Sequence, residues 1–231
     1  MIMNEKNYTG KVGFRYRSEI NRPSESRVAA LANYSTCNIA DGMQKMYVMD
    51  SGIKAVCPTG KICGPAVTVR ISLGDNLMLH KALGLVKPGD VLVVDAQGCT
   101  TFSACGGIMM LRMKKLGVQG IVVDGSVRDI EDIREIGLPV FARGVVPQGG
   151  GKAGPGQVNF PVACGGIAVM PGDVIVADDN GIVCVPQDDI EEVVAGVEAK
   201  LKKEEKSYAE IEAGLLVKSD VDELLAKKGI V

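Results

Sequence analysis

The chain has 231 residues, of which 46% are hydrophobic and 23% charged, so it is long enough to fold around a sizeable core. A net charge of −2 without a concentrated basic face argues against a nucleic-acid partner. No apolar run reaches the ~18 residues of a membrane span, and the N-terminus lacks the apolar region of a signal peptide. We therefore expect a cytoplasmic protein with no membrane partner.

The first half of the chain predicts an arm, two helices and then strands that alternate with helices. Residues 1–22 are polar and mixed in charge, which is typical of an arm. Helices are predicted at 23–32 and, with Ser35-Thr36 as N-cap, from there to Met46. The alternating block has strands at 66–71, 91–95, 121–124 and 139–142, and helices at 75–85, 103–116 and 129–136. Such alternation indicates an α/β layer with parallel strands.

The second half is richer in turns. A glycine-rich loop is predicted at 148–157, followed by short strands at 166–169, 174–177 and 182–185 and by charged helices to about residue 228. This order predicts a single α/β domain with β, β and α layers. We divide the chain into an N-terminal arm at 1–22, the domain at 23–187 and a helical tail at 188–231.

Two cofactor classes are excluded by their motifs. The seven cysteines are odd in number and scattered, and no C-x-x-C pair occurs, so a zinc site or a disulfide framework is not expected. The run Gly149-Gly150-Gly151-Lys152 fails the phosphate-loop pattern, because Val146 replaces the first glycine and Ala153 follows the lysine. No G-x-G-x-x-G follows a strand, so we reject a dinucleotide site as well.

The stronger motif is Asp124-Gly125-Ser126-Val127-Arg128-Asp129, which lies where a buried strand ends and a helix begins. Ligands of α/β proteins collect at the carboxyl ends of strands. An Arg there can bind a carboxylate through two hydrogen bonds, and an adjacent Asp can ligate a hard divalent cation. The alternative is structural: Asp129 caps the helix and Arg128 forms an ion pair. The motif alone leaves both open.

Two further clusters belong to the same argument. The stretch 98–107 follows strand 91–95 and ends in Gly106-Gly107, where backbone N–H groups at a helix start can bind an anion. Asn76 and His80 are four residues apart and share one helix face. His80 is the one histidine of the chain, and a lone histidine is more often structural.

Together these clusters resemble the aldolases of 4-hydroxy-4-methyl-2-oxoglutarate and 4-carboxy-4-hydroxy-2-oxoadipate, and the related regulator of ribonuclease activity A. The resemblance runs from about residue 27 to 195. It rests on the segments 64–69, Asp75-Asn76, 88–91, 120–129, 139–144, Asn159, 171–173 and 178–181.

The resemblance implies a swivelling β/β/α fold, a homotrimer or hexamer with active sites between subunits, and Mg²⁺ or Mn²⁺ as cofactor. Arg128 and Asp129 resemble the pair that holds the pyruvyl end of the substrate and the metal, with Asp129 as the metal ligand. The backbone amides of Gly106, Gly107, Ile108 and Met109 would receive the carboxylate of a small anionic 2-oxo acid. Asn76, His80 and Lys152 would complete the pocket, with His80 among the catalytic residues. An acidic residue of a neighbouring subunit, Glu191 or Glu192, would complete the metal's water shell.

The sequence departs from these aldolases at one position. They carry Asp or Glu twenty-one residues before the Arg, where this chain has Gly107. His80 or an acidic residue of a neighbouring subunit is an alternative source of the missing group.

The resemblance predicts a class II pyruvate aldolase that cleaves a 4-hydroxy-2-oxo acid through an enolate, with a metal-linked water as base, and that also decarboxylates oxaloacetate. The alternative is a protein-binding regulator, although the related regulator lacks the Asp after the Arg. Many members of this family carry the older name demethylmenaquinone methyltransferase. A methyltransferase is not supported here, because no glycine-rich cofactor loop follows an early strand.

Overall fold

The computed structural model describes residues 7–57, 60–218 and 220–230. Residues 1–6 of the predicted arm, and residues 219 and 231 of the predicted tail, lie outside the described residues. The described strands are β1 (Thr9–Lys11), β2 (Phe14–Tyr16), β3 (Lys54–Ala55), β4 (Ile62–Ile71), β5 (Val91–Ser103), β6 (Gly120–Val127), β7 (Val140–Val145), β8 (Gly156–Val158), β9 (Val162–Cys164), β10 (Ile167–Val169), β11 (Val174–Asp178) and β12 (Gly181–Val185). The described helices are α1 (Glu25–Ala32), α2 (Thr36–Gly42), α3 (Leu77–Ala82), α4 (Gly107–Lys115), α5 (Ile130–Ile136), α6 (Ile190–Glu212) and α7 (Val221–Lys227).

The central sheet has the order β1-β2-β8-β4-β5-β6-β7-β3. Strands β4, β5, β6 and β7 are parallel neighbours, with Val67 opposite Leu92 and Leu92 opposite Ile121. Every residue of β6 is buried, as expected for a parallel strand that is covered on both faces. The first half of β4 pairs instead with β11, so β4 joins this sheet to the β11–β12 hairpin.

Three hydrophobic clusters define the layers. On one face of the sheet, residues of α3, α4 and α5 pack against the strands, with Leu79, Met110 and Ile133 fully buried. On the other face, β9–β10 and β11–β12 pack against β4, β5 and β6. Helices α1, α2 and α6 cover the outer side of the β11–β12 hairpin. The predicted β/β/α architecture is confirmed.

Some elements differ from their predicted bounds. Residues 9–11 and 14–16 of the predicted arm are strands, and β2 pairs with β8 across about 140 residues of sequence. A polar segment at the edge of a sheet lacks the hydrophobic periodicity that would mark it as a strand. Strand β5 continues to Ser103, past the predicted end at residue 95, because the irregular stretch after Asp95 still pairs with β6 at Cys99 and Ser103.

The start of the predicted helical tail belongs to the core. Ile190, Val193 and Val197 of α6 are buried against α1, α2 and β12. All seven cysteines are free thiols, and four of them are buried. Within the described ranges, no helix combines the length and the apolarity that crossing a bilayer requires.

Candidate active site at the carboxyl ends of the central strands

A cavity of about 320 Å³ lies where strands β4, β5 and β6 end and the following helices begin. In an α/β sheet this is the edge at which ligands bind. Its lining combines the three predicted clusters with the glycine-rich loop: Asn76, His80, Ser103, Cys105, Gly106, Ile108, Met109, Arg112, Arg128, Asp129, Gly149, Gly150 and Lys152.

The glycine-rich loop reaches the cavity because Asp75 anchors it. Asp75 Oδ2 accepts hydrogen bonds from the backbone N–H groups of Ala153 (2.6 Å) and Gly154 (2.8 Å), and Oδ1 accepts from that of Leu77 (2.8 Å). Burial raises the pKa of the Asp75 carboxyl, but the hydrogen bonds from the three backbone donors outweigh this effect and lower the pKa below its ordinary value. The Ser103 N–H also donates to the Gln148 carbonyl (2.8 Å). The loop is therefore fixed between α3 and β5.

Arg128 and Asp129 stand at the end of β6, where the Arg128 N–H donates to the Cys105 carbonyl (3.1 Å). Asp129 occupies the N-cap position of α5, but it has a left-handed backbone (φ 62°) and its side chain makes no capping hydrogen bond. Instead, Asp129 Oδ2 accepts from the Gly107 N–H (3.0 Å) and lies 3.6 Å from Arg128 Nε. The prediction that the Asp129 side chain caps α5 is thus wrong, whereas the ion pair predicted for Arg128 is present, with Asp129 as its partner. Both side chains are partly open to solvent.

Two glycines make room for this pair. A β-carbon on Gly106 would collide with Asp129 Oδ2 and approach Arg128 Cγ to 2.8 Å. A β-carbon on Gly149 would lie 2.5 Å from Arg128 Nη1. Contacts under 3.0 Å require something to move, so the absence of these side chains lets Arg128 extend along the cavity wall.

The backbone donors at the start of α4 are not all available. The Gly107 N–H is engaged by Asp129, Gly107 does not line the cavity, and the Met109 N–H donates to the Gly106 carbonyl (3.0 Å). The Ile108 N–H has no acceptor among the described residues and is one of the free donors that a helix start leaves. Of the four backbone amides predicted to bind the carboxylate, those of Gly107 and Met109 already donate to other groups of the protein.

The predicted pair on α3 also faces the cavity. Asn76 Nδ2 donates to the Ala104 carbonyl (3.1 Å), while its Oδ1 is buried without a partner in the described part of the chain. The pKa of His80 is lowered by partial burial and by the cations Lys152 and Arg112, so the imidazole is neutral at pH 7. Cys105 lines the same wall, but burial and the charge of Asp129 raise its pKa to about 12, which excludes a thiolate nucleophile.

Arg112 is a lining residue that the sequence motifs did not reveal. It lies one helical turn after Ile108 on α4, and the i, i+4 spacing from Ile108 was the one available signal. With Arg128 and Lys152 it contributes three cations to a cavity whose lining holds one carboxylate, Asp129. The excess of positive charge suits an anionic ligand.

Comparison with known proteins gives the family of the chain. The family model RraA-like: Aldolase/RraA matches residues 36–184. A protein of Halalkalibacterium halodurans, provisionally named 4-hydroxy-4-methyl-2-oxoglutarate aldolase, is 37% identical over 179 residues, which is 78% of this chain and 81% of the relative. The chain belongs to the Aldolase/RraA family. The 4-hydroxy-4-methyl-2-oxoglutarate aldolase of Thermus thermophilus, a more distant match, is 32% identical over 55% of this chain and 77% of its own.

A solved member of the Aldolase/RraA family has the same fold. It is Streptomyces coelicolor RraAS2, described as an unusual member of the RNase ES inhibitor RraA protein family. The two chains superpose with a TM-score of 0.74 and 33% sequence identity, over 81% of this chain and 99% of the other. The family thus contains relatives named as aldolases and relatives described as inhibitors of an RNase.

The residues of the cavity fit a hard divalent cation held by few protein ligands. Asp129 could supply a carboxylate oxygen, and the Ser103 hydroxyl is buried in the lining without a hydrogen-bond partner in the described ranges. No group of three Asp, Glu, His or Cys side chains among the described residues is arranged as a metal cage. Mg²⁺ commonly keeps several waters and binds through one or two carboxylates, so this donor set suits it better than a closed site would.

The two acidic residues predicted to act from a neighbouring subunit differ in their surroundings. Glu191 accepts from Arg27 of its own chain at both carboxylate oxygens (2.5 and 2.7 Å), and this pairing lowers the pKa of Glu191. Glu192 has no ion-pair partner in the described part of the chain. Glu192 is thus the freer of the two to reach another protomer.

Proposed function

We propose that the protein is a divalent-metal-dependent lyase that cleaves a 4-hydroxy-2-oxo acid to pyruvate and a second carbonyl compound. The observation that carries the proposal is the Arg128–Asp129 pair, a cation and a partly exposed carboxylate that meet in a cationic cavity at the carboxyl ends of the strands. Relatives named as aldolases support the reaction class. Oxaloacetate decarboxylation is proposed as a second activity because it passes through the same enolate.

Substrate binding uses the fixed donors of the cavity. The Arg128 guanidinium can hold the carboxylate and the 2-oxo group through two parallel hydrogen bonds. The free Ile108 N–H at the start of α4 is aligned with the helix dipole and favours a negative oxygen. Lys152 and Arg112 add positive charge for a further carboxylate of the substrate.

The bond-breaking step needs a proton acceptor and charge stabilisation. The C4 hydroxyl loses its proton, the C3–C4 bond breaks with its electrons moving toward the 2-oxo oxygen, and the enolate of pyruvate is then protonated at C3. Neutral His80 has a lone pair that can accept the hydroxyl proton. Arg128 stabilises the charge that develops on the enolate oxygen.

Asp129 would hold Mg²⁺ or Mn²⁺, which would supply Lewis-acid stabilisation of the developing enolate. The Gly107 N–H keeps the Asp129 carboxylate oriented toward the cavity through its 3.0 Å hydrogen bond. We further propose that the site is completed in a homotrimer or hexamer, in which Glu192 of one protomer approaches the Asp129 carboxylate of the next.

A pyruvate-release assay tests the proposed function. Wild-type protein is given several 4-hydroxy-2-oxo acids and oxaloacetate, with Mg²⁺, with Mn²⁺ or with chelator. Asp129→Asn keeps a residue that tolerates the left-handed backbone but removes the charge, so it should fold and lose metal-stimulated turnover. Glu131→Gln, two residues away on α5, is the matched control. Equal metal stimulation in Asp129→Asn and in the control would overturn the site.

A second candidate function is binding to another protein, which is supported by the similarity to an unusual member of the RNase ES inhibitor RraA protein family. In that case the cavity has no turnover with any of these acids. Absence of pyruvate release, together with binding to an RNase E-type protein in a pull-down with purified components, would favour this candidate. Retention of an exposed carboxylate directly after Arg128 favours the enzyme.

A further inference from the structure

Gly107 has no side chain, and the carboxylate of Asp132 lies where one would be. A β-carbon built on Gly107 would lie 2.6 Å from Asp132 Oδ2 and 2.9 Å from the Asp132 β-carbon. Asp132 therefore occupies the space into which a side chain at position 107 would extend.

The second carboxylate at this place is Asp129. Its Oδ2 accepts from the Gly107 N–H at 3.0 Å, so Asp129 and Asp132, from the first turn of α5, both approach the same residue of α4. Within the described ranges, Asp132 makes no hydrogen bond or ion pair through its side chain. Asp132 is exposed to solvent, so its carboxylate is accessible to a hydrated cation.

An independent observation indicates a ligand in the adjoining cavity. Ser103 is 3% exposed and lines the cavity with Asp129, yet its hydroxyl has no hydrogen-bond partner in the described part of the chain. Buried hydroxyl groups are nearly always hydrogen-bonded in native proteins. The Ser103 hydroxyl is therefore positioned to bond a polar ligand in the cavity.

We propose that Asp132 is a positioning residue of the metal site: it provides the second carboxylate beside the cation bound at Asp129, in place of an acidic residue at position 107. This inference rests on the proposed function. A carboxylate fixed near a hydrated cation accepts hydrogen bonds from the surrounding water, and partners of this kind commonly change metal affinity by ~10–100-fold. Neither His80 nor a residue of another protomer is then needed for this role.

The test measures Mn²⁺ affinity by electron paramagnetic resonance of the free ion, on the full chain. Asp132→Asn should weaken Mn²⁺ binding by ~10-fold or more. Glu131→Gln is the matched control, because Glu131 is in the same first turn of α5 and contributes the same charge to the helix start. Its affinity should stay within about twofold of the parent. Thermal unfolding of both variants checks that the fold is retained.

Moving the carboxylate from position 132 to position 107 tests whether Mn²⁺ binding requires a carboxylate at this place or requires Asp132 itself. Gly107→Asp alone should lower stability, because its β-carbon would lie 2.9 Å from that of Asp132. The double variant Gly107→Asp/Asp132→Gly returns a carboxylate to the same place and should recover most of the Mn²⁺ affinity. The double variant Gly107→Ala/Asp132→Gly has the same backbone changes without a carboxylate and should not.

The outcomes separate the two proposals. Mn²⁺ binding that depends on Asp129 but is equal in Asp132→Asn and Glu131→Gln overturns the role of Asp132 and leaves the proposed function standing. Failure of the exchanged carboxylate to do better than its alanine counterpart also overturns it. If the parent binds no Mn²⁺, both proposals are overturned.

Discussion

At the residue scale, the candidate site depends on glycines as well as on charged side chains, because the glycines leave space for those side chains. Gly106, Gly107 and Gly149 each leave a space that a side chain of the proposed site occupies: Asp129, Asp132 and Arg128 respectively. Asp129 itself holds a left-handed backbone, which costs a non-glycine residue of order 1–3 kcal/mol. Strain of this kind persists where surrounding contacts impose it, here the Gly107 N–H and the paired end of β6.

The charge state of His80 gives the first prediction. Partial burial, Lys152 and Arg112 all lower its pKa, so we expect a value below the ordinary 6.5. Because it is the one histidine in the chain, a single imidazole resonance in a proton NMR titration reports it. Lys152→Gln should move the pKa upward by removing a cation from the cavity.

Lys54→Gln, on the short strand β3, is the control and should leave the titration unchanged. A His80 pKa above 6.5, or one that does not respond to Lys152→Gln, would contradict the electrostatic description of the cavity. The lowered pKa of His80 also makes the free energy of unfolding depend on pH, because the folded protein resists protonation of this side chain. The contribution of His80 to stability is fully present above its ordinary pKa of 6.5 and is lost as the pH falls through the lower pKa of the folded state.

The space occupied by Arg128 gives the second prediction. Gly149→Ala would introduce a β-carbon 2.5 Å from Arg128 Nη1, and the flexible end of the arginine should move rather than the backbone. We expect little change in unfolding free energy but a loss of roughly tenfold or more in kcat/KM, since displacement by about 1 Å at a binding group can cost two orders of magnitude.

Gly151→Ala is the matched control in the same loop, because its β-carbon would meet its nearest atom at 3.8 Å, an ordinary contact. The measurement is pyruvate release for both variants beside urea unfolding. Equal kcat/KM in the two variants would show that Arg128 is not held along this wall.

At the scale of elements, the glycine-rich loop and the start of α3 form one unit through Asp75. The isolated bridge of Asp75 with Gly151 and the Gly151 N–H to the Gly74 carbonyl (2.7 Å) add backbone pairing to the side-chain bonds. The sequence marked 148–157 as a loop, and it is one up to β8, yet its position is fixed and it carries Lys152 to the cavity.

Loss of this anchor gives the third prediction. Asp75→Ala removes the acceptor for three backbone donors and should cost at least about 2 kcal/mol of unfolding free energy, because hydrogen bonds to a charged group are worth about 1.5–3 kcal/mol each. The freed loop should also be cut faster by trypsin after Lys152. Asp75→Asn keeps one oxygen acceptor and should give an intermediate rate.

The same anchor weakens in acid. Burial opposes ionisation of Asp75, but its backbone donors lower the pKa, so its stabilising contribution is fully present above the ordinary value of about 4. It is lost as the pH falls through the lower folded value. An unchanged tryptic rate after Lys152 in Asp75→Ala would exclude this role.

At the scale of the whole molecule, the C-terminal helical region exposes many large apolar side chains to solvent. Ile211, Leu215 and Leu216 are at least half exposed, as are Tyr208, Val217, Leu224 and Ile230. Clusters of exposed large apolar residues mark interaction surfaces. This supports the proposal that protomers associate.

The fourth prediction follows from that surface. Light scattering at micromolar concentration should give three or six times the chain mass of 24.3 kDa. Replacing Leu215 and Leu216 together by Ser should shift the mass downward without unfolding the core, because neither residue is buried in the protomer. A stable monomer of the parent chain would contradict the proposed oligomer.

The sequence by itself determined the layer order, the buried strands, the place of Arg128 and Asp129 at a strand end, and the family. These follow from local signals: hydrophobic runs, turn residues and colinear motifs, which act over a few residues. The family resemblance predicted Asn76, His80 and Lys152 as pocket residues, and the fold brings all three into the cavity lining.

The tertiary structure decided what those residues face. It showed that Asp129 accepts from Gly107 rather than capping α5, that Arg112 lines the cavity, and that Asp75 anchors the loop. Only the packing of α4 against α5 reveals that Asp132 fills the space at Gly107. Side-chain direction and contacts between distant segments depend on how elements pack, and no pattern within one element encodes them.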